Sequence, residues 1–263
     1  MSAEIHIVDS FTSTPFCGNP AAVCITDEEK ESTWMQSVAA EMNHSETAFL
    51  HRLEEGWSLR WFTPEAEVDL CGHATLAAAF VIWSTGKEDE GSMIRFRTRS
   101  GILTAARDSS GIALDFPAVP VTVCDPPGGI EAAFRCPVVF SGRTKFDLFF
   151  ELASATDVCT LDPDMGSLAA LPARGIIVTA RSDMPAYDFV SRFFAPSVGI
   201  PEDPVTGSAH CSLGPFWGER LGKDSLAGFQ CSQRGGAVRM KLKGDRVILT
   251  GNAVPILSGR LLA

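Results

Sequence analysis

The sequence predicts an α+β protein of two pseudo-symmetric domains, each a curved antiparallel β-sheet or barrel around a central α-helix. The first observation is an internal repeat whose period is too long for a solenoid, which indicates two homologous halves. The repeat shows in two sets of residues: Arg60, Phe62 and Pro64 recur 132 positions later as Arg192, Phe194 and Pro196, and Gly72-His73-Ala74 is echoed 135 positions later by Gly207-Ser208-Ala209. The second observation is a helix from Ala74 that is apolar nearly all round, and other elements must enclose such a helix.

Length and linker composition predict where the two domains meet. A chain of 263 residues is long enough for two domains with substantial cores. The segment 116–130 holds four prolines and two glycines, which is typical of a linker. We therefore predict an N-terminal domain of residues 1–116 plus 252–263 and a C-terminal domain of residues 117–251. The active site is expected in the cleft between them.

The elements of the first half follow from local patterns. In chain order they are strands at 4–9 and 21–26, an amphipathic helix that ends near Asn43, and a hairpin that turns at Glu54-Glu55-Gly56. Thr26 with Glu29, and Thr33 with Gln36, stand in the spacing of a capping box, so the helix is expected to begin beside one of these pairs.

The elements of the second half repeat this plan. The strands that flank the first central helix have the sequences MIRFRT, ILTAAR and IALDF, and the second half offers GIIVTA, YDFVSRFF, a helix from Ser208 and a final hairpin. Gly214-Pro215 lies inside the second helix, which predicts a kink or a shortened first part. Strands are expected near 137–141 and 146–152, and the segment from about Asn252 is expected to return to the first domain.

Composition excludes several classes of partner. The net charge of −10 and the pI near 5.0 argue against nucleic acid and anionic membranes, which both need a basic surface. No apolar run is long enough to span a bilayer. The eight cysteines are scattered and contain no CxxC pair, so we expect reduced thiols in a cytoplasmic protein and no metal site.

The starts of the two repeated helices are candidate binding sites for a small carboxylate. Gly72-His73 and Gly207-Ser208 each lie where a strand ends and a buried helix begins. The first turn of a helix exposes backbone N–H groups and a positive dipole end, which suit an anion. Glycine alone also permits a tight strand-to-helix turn, but two such turns at equivalent positions of a repeat favour binding.

Differences between the halves indicate two acid/base groups. Glu46 follows the first predicted helix, and the equivalent place near Arg174-Gly175 offers no carboxylate. The three extra residues of the second half are interpreted as Glu202-Asp203-Pro204. Unequal carboxylates at one interface can divide the roles of acid and base. The alternatives are a solvated Glu46 at a strand edge and an Asp203 that caps a helix.

Four segments together resemble one known family. FTSTPFCGNPAAV, MNHSETAFL, RWFTPEAEVDLCGHATLAA and EDPVTGSAHCSLGPFW are similar to the motifs of the PhzF-like phenazine-biosynthesis isomerases. The resemblance implies the fold of diaminopimelate epimerase, with two similar domains and the active site between them. It also implies a cofactor-independent isomerase that moves a proton within a small carboxylate-bearing molecule, and a homodimer.

The resemblance implies roles for residues of the first half. Glu46 of the SET motif would be the general base and proton shuttle, with Ser45 beside it. Gly72 and His73 of the CGHAT motif would lie at the site, where His73 assists proton transfer. Asn19 of the CGNP motif would line the same cleft.

The resemblance also implies roles in the second half, and two rival functions stay open. Asp203 would be the second acidic group, and Gly207 and Ser208 would hold the substrate carboxylate. Related epimerases and racemases use two catalytic cysteines. Cys71 lies near the position of one of them, but the position of the other is interpreted as occupied by Asp203. The rivals are therefore a cysteine-dependent racemase or epimerase, and a small-acid-binding or interaction protein without turnover.

Overall fold

The computed structural model describes residues 3–262 of the chain. Over these residues the strands are β1 (Ala3–Ser10), β2 (Asn19–Thr26), β3 (Thr47–Arg52), β4 (Trp57–Phe62), β5 (Glu67–Val68), β6 (Ile94–Thr98), β7 (Gly101–Asp108), β8 (Gly111–Pro117), β9 (Thr122–Val123), β10 (Phe140–Arg143), β11 (Asp147–Glu151), β12 (Gly175–Arg181), β13 (Phe189–Ala195), β14 (Ile200–Asp203), β15 (Ser225–Gln230), β16 (Gly236–Lys243), β17 (Arg246–Gly251) and β18 (Ala253–Leu261). The helices are α1 (Ser32–Met42), α2 (Gly72–Ser84), α3 (Ile130–Phe134), α4 (Ala155–Cys159), α5 (Met165–Ala169) and α6 (Gly207–Leu221), with a 3₁₀ helix at Pro196–Val198.

The chain forms two compact units, each with its own apolar core. The first unit extends to Phe116 and resumes at Thr250, and the second runs from Pro117 to Leu249. Within residues 3–262, no helix is both long and apolar enough to cross a membrane.

The two units repeat one order of strand pairing. In the first unit β2 pairs parallel with β3, β3 antiparallel with β4, and β4 both antiparallel with β5 and parallel with β6. In the second unit β11, β12, β13, β14 and β15 repeat these pairings in the same order and the same directions. The predicted α+β class with two similar halves is therefore confirmed, and each half also contains parallel pairs.

An ion pair between neighbouring strands recurs in both units. Arg60 on β4 holds Glu67 on β5 through two nitrogens, each 2.7 Å from a carboxylate oxygen. Arg192 on β13 holds Glu202 on β14 in the same way, at 2.7 and 2.8 Å. Glu202 is thus the counterpart of Glu67, and the interpretation of Glu202-Asp203-Pro204 as the insertion is wrong. The three extra residues lie earlier, in the turn that contains the 3₁₀ helix.

The central helices are buried, as their composition requires. Ten of the thirteen residues of α2 are buried, and the helix packs on β1, β2, β3 and β18 of its own unit. The nine buried residues of α6 include its first residue, Gly207. α6 runs without interruption past Pro215, so its first part is not shortened. Proline frees the carbonyl four residues earlier, and here the Cys211 carbonyl accepts a hydrogen bond from the Val119 N–H at 3.0 Å.

Local predictions succeeded where the pattern was long. The hairpin of β3 and β4 and the end of α1 at Asn43, a left-handed C-cap with φ 52°, agree with expectation. Neither capping box exists, because Thr26 ends β2 and Thr33 lies inside α1, whose N-cap is Glu31. Around 130–170, β10 and β11 lie close to the predicted strands. Three five-residue helices there, α3 to α5, were missed because such short segments show no periodicity.

Candidate active site

The start of α2 gathers five of the predicted residues within the first unit. Cys71 is the N-cap of α2, and Gly72 and His73 are its first two residues. Ser45 and Glu46 directly precede β3, whose first residues pair with β2. Asn19 is the first residue of β2. The parallel pairing of β2 and β3 therefore brings their two N-terminal ends to the start of α2.

His73 and Glu46 form the pair of acid/base groups in this cluster. The Nε2 atom of His73 lies 3.5 Å from the Oε2 atom of Glu46, and their side chains are 5% and 16% exposed. Burial, assisted by the charge of His44, lowers the pKa of His73 to about 3. Desolvation penalises the charged imidazolium, so the ring is neutral at pH 7. A neutral imidazole beside a carboxylate can donate one hydrogen bond to it.

Asn19 links Ser45 to the imidazole. The Ser45 hydroxyl donates to the Asn19 Oδ1 atom at 3.4 Å, and the Asn19 Nδ2 atom lies 3.2 Å from the His73 Nδ1 atom. The backbone of His73 is held as well, because the Ser10 hydroxyl donates to its carbonyl at 2.8 Å. Asn19 is fully buried. The structure thus places Asn19 behind the imidazole.

Cys71 adds a thiol to the same cluster, 3.5 Å from the His73 Nδ1 atom. One ligand atom each from Glu46, Cys71 and His73 lie within 4.8 Å of one another, and zinc accepts such a mixture of oxygen, sulfur and nitrogen. The thiol and the carboxylate lie beside different ring nitrogens, however.

The start of α6 in the second unit carries a different network. Thr206 is the N-cap, and its hydroxyl donates to the Asp203 Oδ2 atom at 2.5 Å. The buried Gln230 accepts from the Thr206 N–H at 2.9 Å and donates to the Asp203 carbonyl at 2.7 Å. Asp203 itself is 9% exposed. These bonds make Asp203 an acceptor that is fixed next to the first turn of α6.

Arg174 is a candidate residue that the sequence motifs did not reveal. It directly precedes β12, and its Nε and Nη2 atoms lie 2.9 and 2.6 Å from the two carboxylate oxygens of Asp147. Its Nη2 atom also donates to the Ser208 hydroxyl at 3.2 Å. The guanidinium carbon lies 5.3 Å from the ring centre of Phe146 and 5.8 Å from that of Phe193. These contacts hold the positively charged guanidinium of Arg174 beside Ser208, the residue expected to bind a carboxylate.

The two helix starts correspond residue by residue. Cys71 and Thr206 are both N-caps, and His73 and Ser208 are both second residues of their helices. The counterpart of Cys71 is therefore Thr206, and the interpretation that gave this place to Asp203 is wrong. A polar side chain of the same unit contacts each of these two residues: Asn19 contacts His73, and Arg174 contacts Ser208. In the sequence repeat, Arg174 lies near the position equivalent to Glu46. The repeat could therefore have identified Arg174 as a candidate site residue.

Comparison with known proteins connects the chain to one family. A family model described as "phenazine biosynthesis-like protein" (PhzC-PhzF) matches residues 8–259. An uncharacterized isomerase of Halalkalibacterium halodurans is 48% identical over 263 residues, which are 100% of this chain and 99% of that protein. A crystal structure of a PhzF-family phenazine biosynthesis protein from Enterococcus faecalis has a TM-score of 0.95 at 40% identity and covers 100% of both chains.

A more distant structure agrees on the fold. A protein of Pseudomonas aeruginosa described as a predicted epimerase has a TM-score of 0.76 at 19% identity and covers 99% of both chains. At that identity the likeness shows the fold alone, and it confirms the expected epimerase-like architecture.

Proposed function

Because the chain belongs to the phenazine biosynthesis-like (PhzC-PhzF) family, we propose that it is an isomerase that moves a proton within a small carboxylate-bearing molecule. It does so by general acid/base catalysis without a cofactor. The isomerase class is supported by the names of its relatives, three of which are called uncharacterized isomerases. The observation that carries the acid/base assignment is the contact between the Glu46 carboxylate and the buried, neutral imidazole of His73.

Glu46 is the proposed proton shuttle. Its carboxylate removes a proton from a carbon next to a carbonyl or diene, and the electron pair left on the carbon delocalises into that group. The protonated Glu46 then returns a proton to another carbon of the molecule, in part after exchange with solvent, so the enzyme ends as it began. The separation of 3.5 Å between Glu46 and His73 is longer than a normal hydrogen bond, and catalytic contacts of this kind often shorten when substrate binds.

The start of α6 is the proposed anchor of the substrate carboxylate. Gly207 and Ser208 offer first-turn N–H groups and a hydroxyl, and Arg174 adds a positive charge that is oriented by Asp147. We place Asp203 as the second acid/base group. An anion bound at Ser208 in a co-crystal supports this anchor, and one bound elsewhere contradicts it.

A cysteine-dependent racemase is the second candidate, and one observation favours it. The Cys71 thiol lies 3.5 Å from the His73 Nδ1 atom, at the N-cap position of α2. Against it, the equivalent position holds Thr206, whose hydroxyl is a far weaker acid than a thiol. Cys71→Ser separates the two mechanisms, because the variant loses turnover under thiol catalysis and keeps it under carboxylate catalysis.

Deuterium uptake from heavy water tests the proposed function before the substrate has been identified. Small unsaturated acids and amino acids are incubated with the protein in heavy water, and mass spectrometry detects exchange at carbon. A proton-moving isomerase labels at least one compound, and Glu46→Gln abolishes that labelling. A binding protein without turnover labels none. A shuttle that uses one carboxylate also retains part of a deuterium label supplied on the substrate.

The family also suggests a homodimer, and the cysteines suggest the cytoplasm. The eight cysteines are free thiols, which is compatible with a reducing compartment. Sedimentation of the purified protein should give about twice the 28.2 kDa of the chain. A stable monomer removes the dimer from the proposal and leaves the assignments within each unit untouched.

A further inference from the structure

Two neighbours decide which nitrogen of His73 carries the ring proton. A neutral imidazole has one N–H donor and one acceptor nitrogen, and the groups beside each nitrogen select between its two tautomers. The buried ring of His73 is neutral, as described above. Its Nε2 atom faces Glu46, and its Nδ1 atom faces Asn19 and Cys71.

The Nε2 side favours a proton. On that side of the ring the Glu46 Oε2 atom lies 3.5 Å from Nε2, and an ionised carboxylate only accepts hydrogen bonds. A lone pair on Nε2 would point at the lone pairs of this oxygen, which is repulsive. A proton on Nε2 converts the same contact into an attraction between an N–H dipole and a negative charge.

The Nδ1 side favours a lone pair. The Asn19 Oδ1 atom accepts from the Ser45 hydroxyl at 3.4 Å, so the amide NH₂ group faces the ring at 3.2 Å. An amide NH₂ group only donates. The Cys71 thiol, 3.5 Å from the same nitrogen, is also a weak donor. If the oxygen and nitrogen of the Asn19 amide exchanged places, the oxygen would face Nδ1, which would then need the ring proton. Nε2 would carry a lone pair, and its contact with the Glu46 carboxylate would be repulsive.

We propose that Asn19 is a positioning residue that keeps the ring proton of His73 on Nε2, the nitrogen that lies 3.5 Å from the Glu46 carboxylate. The consequence for turnover rests on the proposed function. An Nε2–H donor stabilises ionised Glu46, the form that can accept a proton from substrate. An Nε2 acceptor would instead stabilise protonated Glu46, which cannot act as a base. Asn19 thus acts through His73 and needs no contact with substrate.

Asn19→Asp reverses the hydrogen-bonding character of this residue with almost no change in shape. A carboxylate only accepts, so the Nδ1 atom should gain a proton. Nitrogen-15 chemical shifts of the imidazole, recorded on the substrate-free protein, report the protonation of each nitrogen directly. The chain has five histidines, and a His73→Gln spectrum assigns the signals of this ring. We expect Nε2–H alone in the wild type and a protonated Nδ1 in Asn19→Asp.

Asn43→Asp is the matched control, because it introduces the same charge at a left-handed C-cap outside the cluster. It should leave the imidazole spectrum and the turnover unchanged, whereas turnover of Asn19→Asp should fall at least ~100-fold, the low end for acid–base catalysis. Asn19→Ala is a second variant in case a buried aspartate prevents folding. It should add a detectable fraction of the Nδ1–H tautomer, because only Glu46 and the weak Cys71 donor then favour the proton on Nε2.

Three results overturn the inference: a wild-type ring protonated on Nδ1, an Asn19→Asp ring with unprotonated Nδ1, or an Asn19→Ala spectrum identical to the wild type. The spectra need no substrate. If they agree with expectation but the heavy-water screen finds no reaction, the proposed function fails and the tautomer assignment stands. If turnover exists with the opposite tautomer, only this inference fails.

Discussion

A pH change from 7 to 5 should destabilise the protein through its buried neutral histidines, and His210 allows the size of this effect to be measured. His210 is fully buried, and its Nδ1 atom lies 2.8 Å from the Thr206 carbonyl oxygen, to which it donates. Burial lowers its pKa from 6.5 to about 4, against the opposing effect of this hydrogen bond. In the unfolded chain the ring takes up a proton below pH 6.5, while in the folded protein it does not until about pH 4.

The unfolded state therefore binds more protons in this range, and the free energy of unfolding falls as the pH decreases. Each pH unit below 6.5 costs about 1.4 kcal/mol for one such group. At pH 5 His210 should cost about 2 kcal/mol, and His73, with a pKa of about 3, a similar amount. His210→Asn keeps a donor near the Nδ1 position but does not titrate. It should reduce the loss between pH 7 and 5 by about 2 kcal/mol.

Urea unfolding, followed by circular dichroism at pH 5, 6 and 7, measures this difference. Carboxylates and other histidines titrate equally in both proteins and cancel in the comparison. His51→Asn is a suitable control, because this ring is only partly buried, whereas His210 is fully buried. Equal losses of stability in the wild type and in His210→Asn would show that this ring is charged, or exposed, in the folded state.

Three further predictions concern single side chains. Arg174→Lys cannot keep the two-nitrogen contact with Asp147 that holds the Arg174 side chain beside Ser208. Calorimetry with a small carboxylate such as benzoate should therefore show binding weakened by about 1 kcal/mol. Unchanged affinity would show that Arg174 does not contribute to the anion site. Gly251→Ala should lower the free energy of unfolding by about 1–3 kcal/mol, because the new methyl group would lie 2.3 Å from the Phe11 ring; an unchanged urea midpoint would contradict this packing. Cys71→Ser should retain turnover and resist iodoacetamide, and loss of turnover in an activity assay would favour thiol catalysis.

The repeat made the architecture predictable from sequence. Matches such as Arg60 with Arg192 mark equivalent strands, and the structure shows why they persist: each arginine holds a glutamate on the next strand. The position of the insertion was not predictable in this way. In the sequence, Glu202 has no obvious counterpart and was therefore interpreted as part of the insertion. Its match with Glu67 is visible only in the paired strands, where each glutamate binds the arginine of the neighbouring strand.

The candidate site was predictable in its residues but not in its connections. Motifs identified Asn19, Glu46 and His73 as candidates, yet Asn19 and His73 are separated by 54 positions, and the resemblance implied only that both lie at the site. Their mutual contact arises because the starts of β2 and α2 meet in the fold. Arg174 carries no local motif at all. Its role depends on a buried carboxylate 27 positions earlier and on Ser208, 34 positions later.

The most direct test of the account is the turnover of Glu46→Gln. Glutamine keeps the size and shape of the side chain but cannot accept a proton. With a substrate from the heavy-water screen, we expect its affinity to persist while kcat falls at least ~100-fold. A Glu46→Gln protein with near-normal turnover would contradict the central claim, and it would direct attention to Asp203 and Cys71 instead.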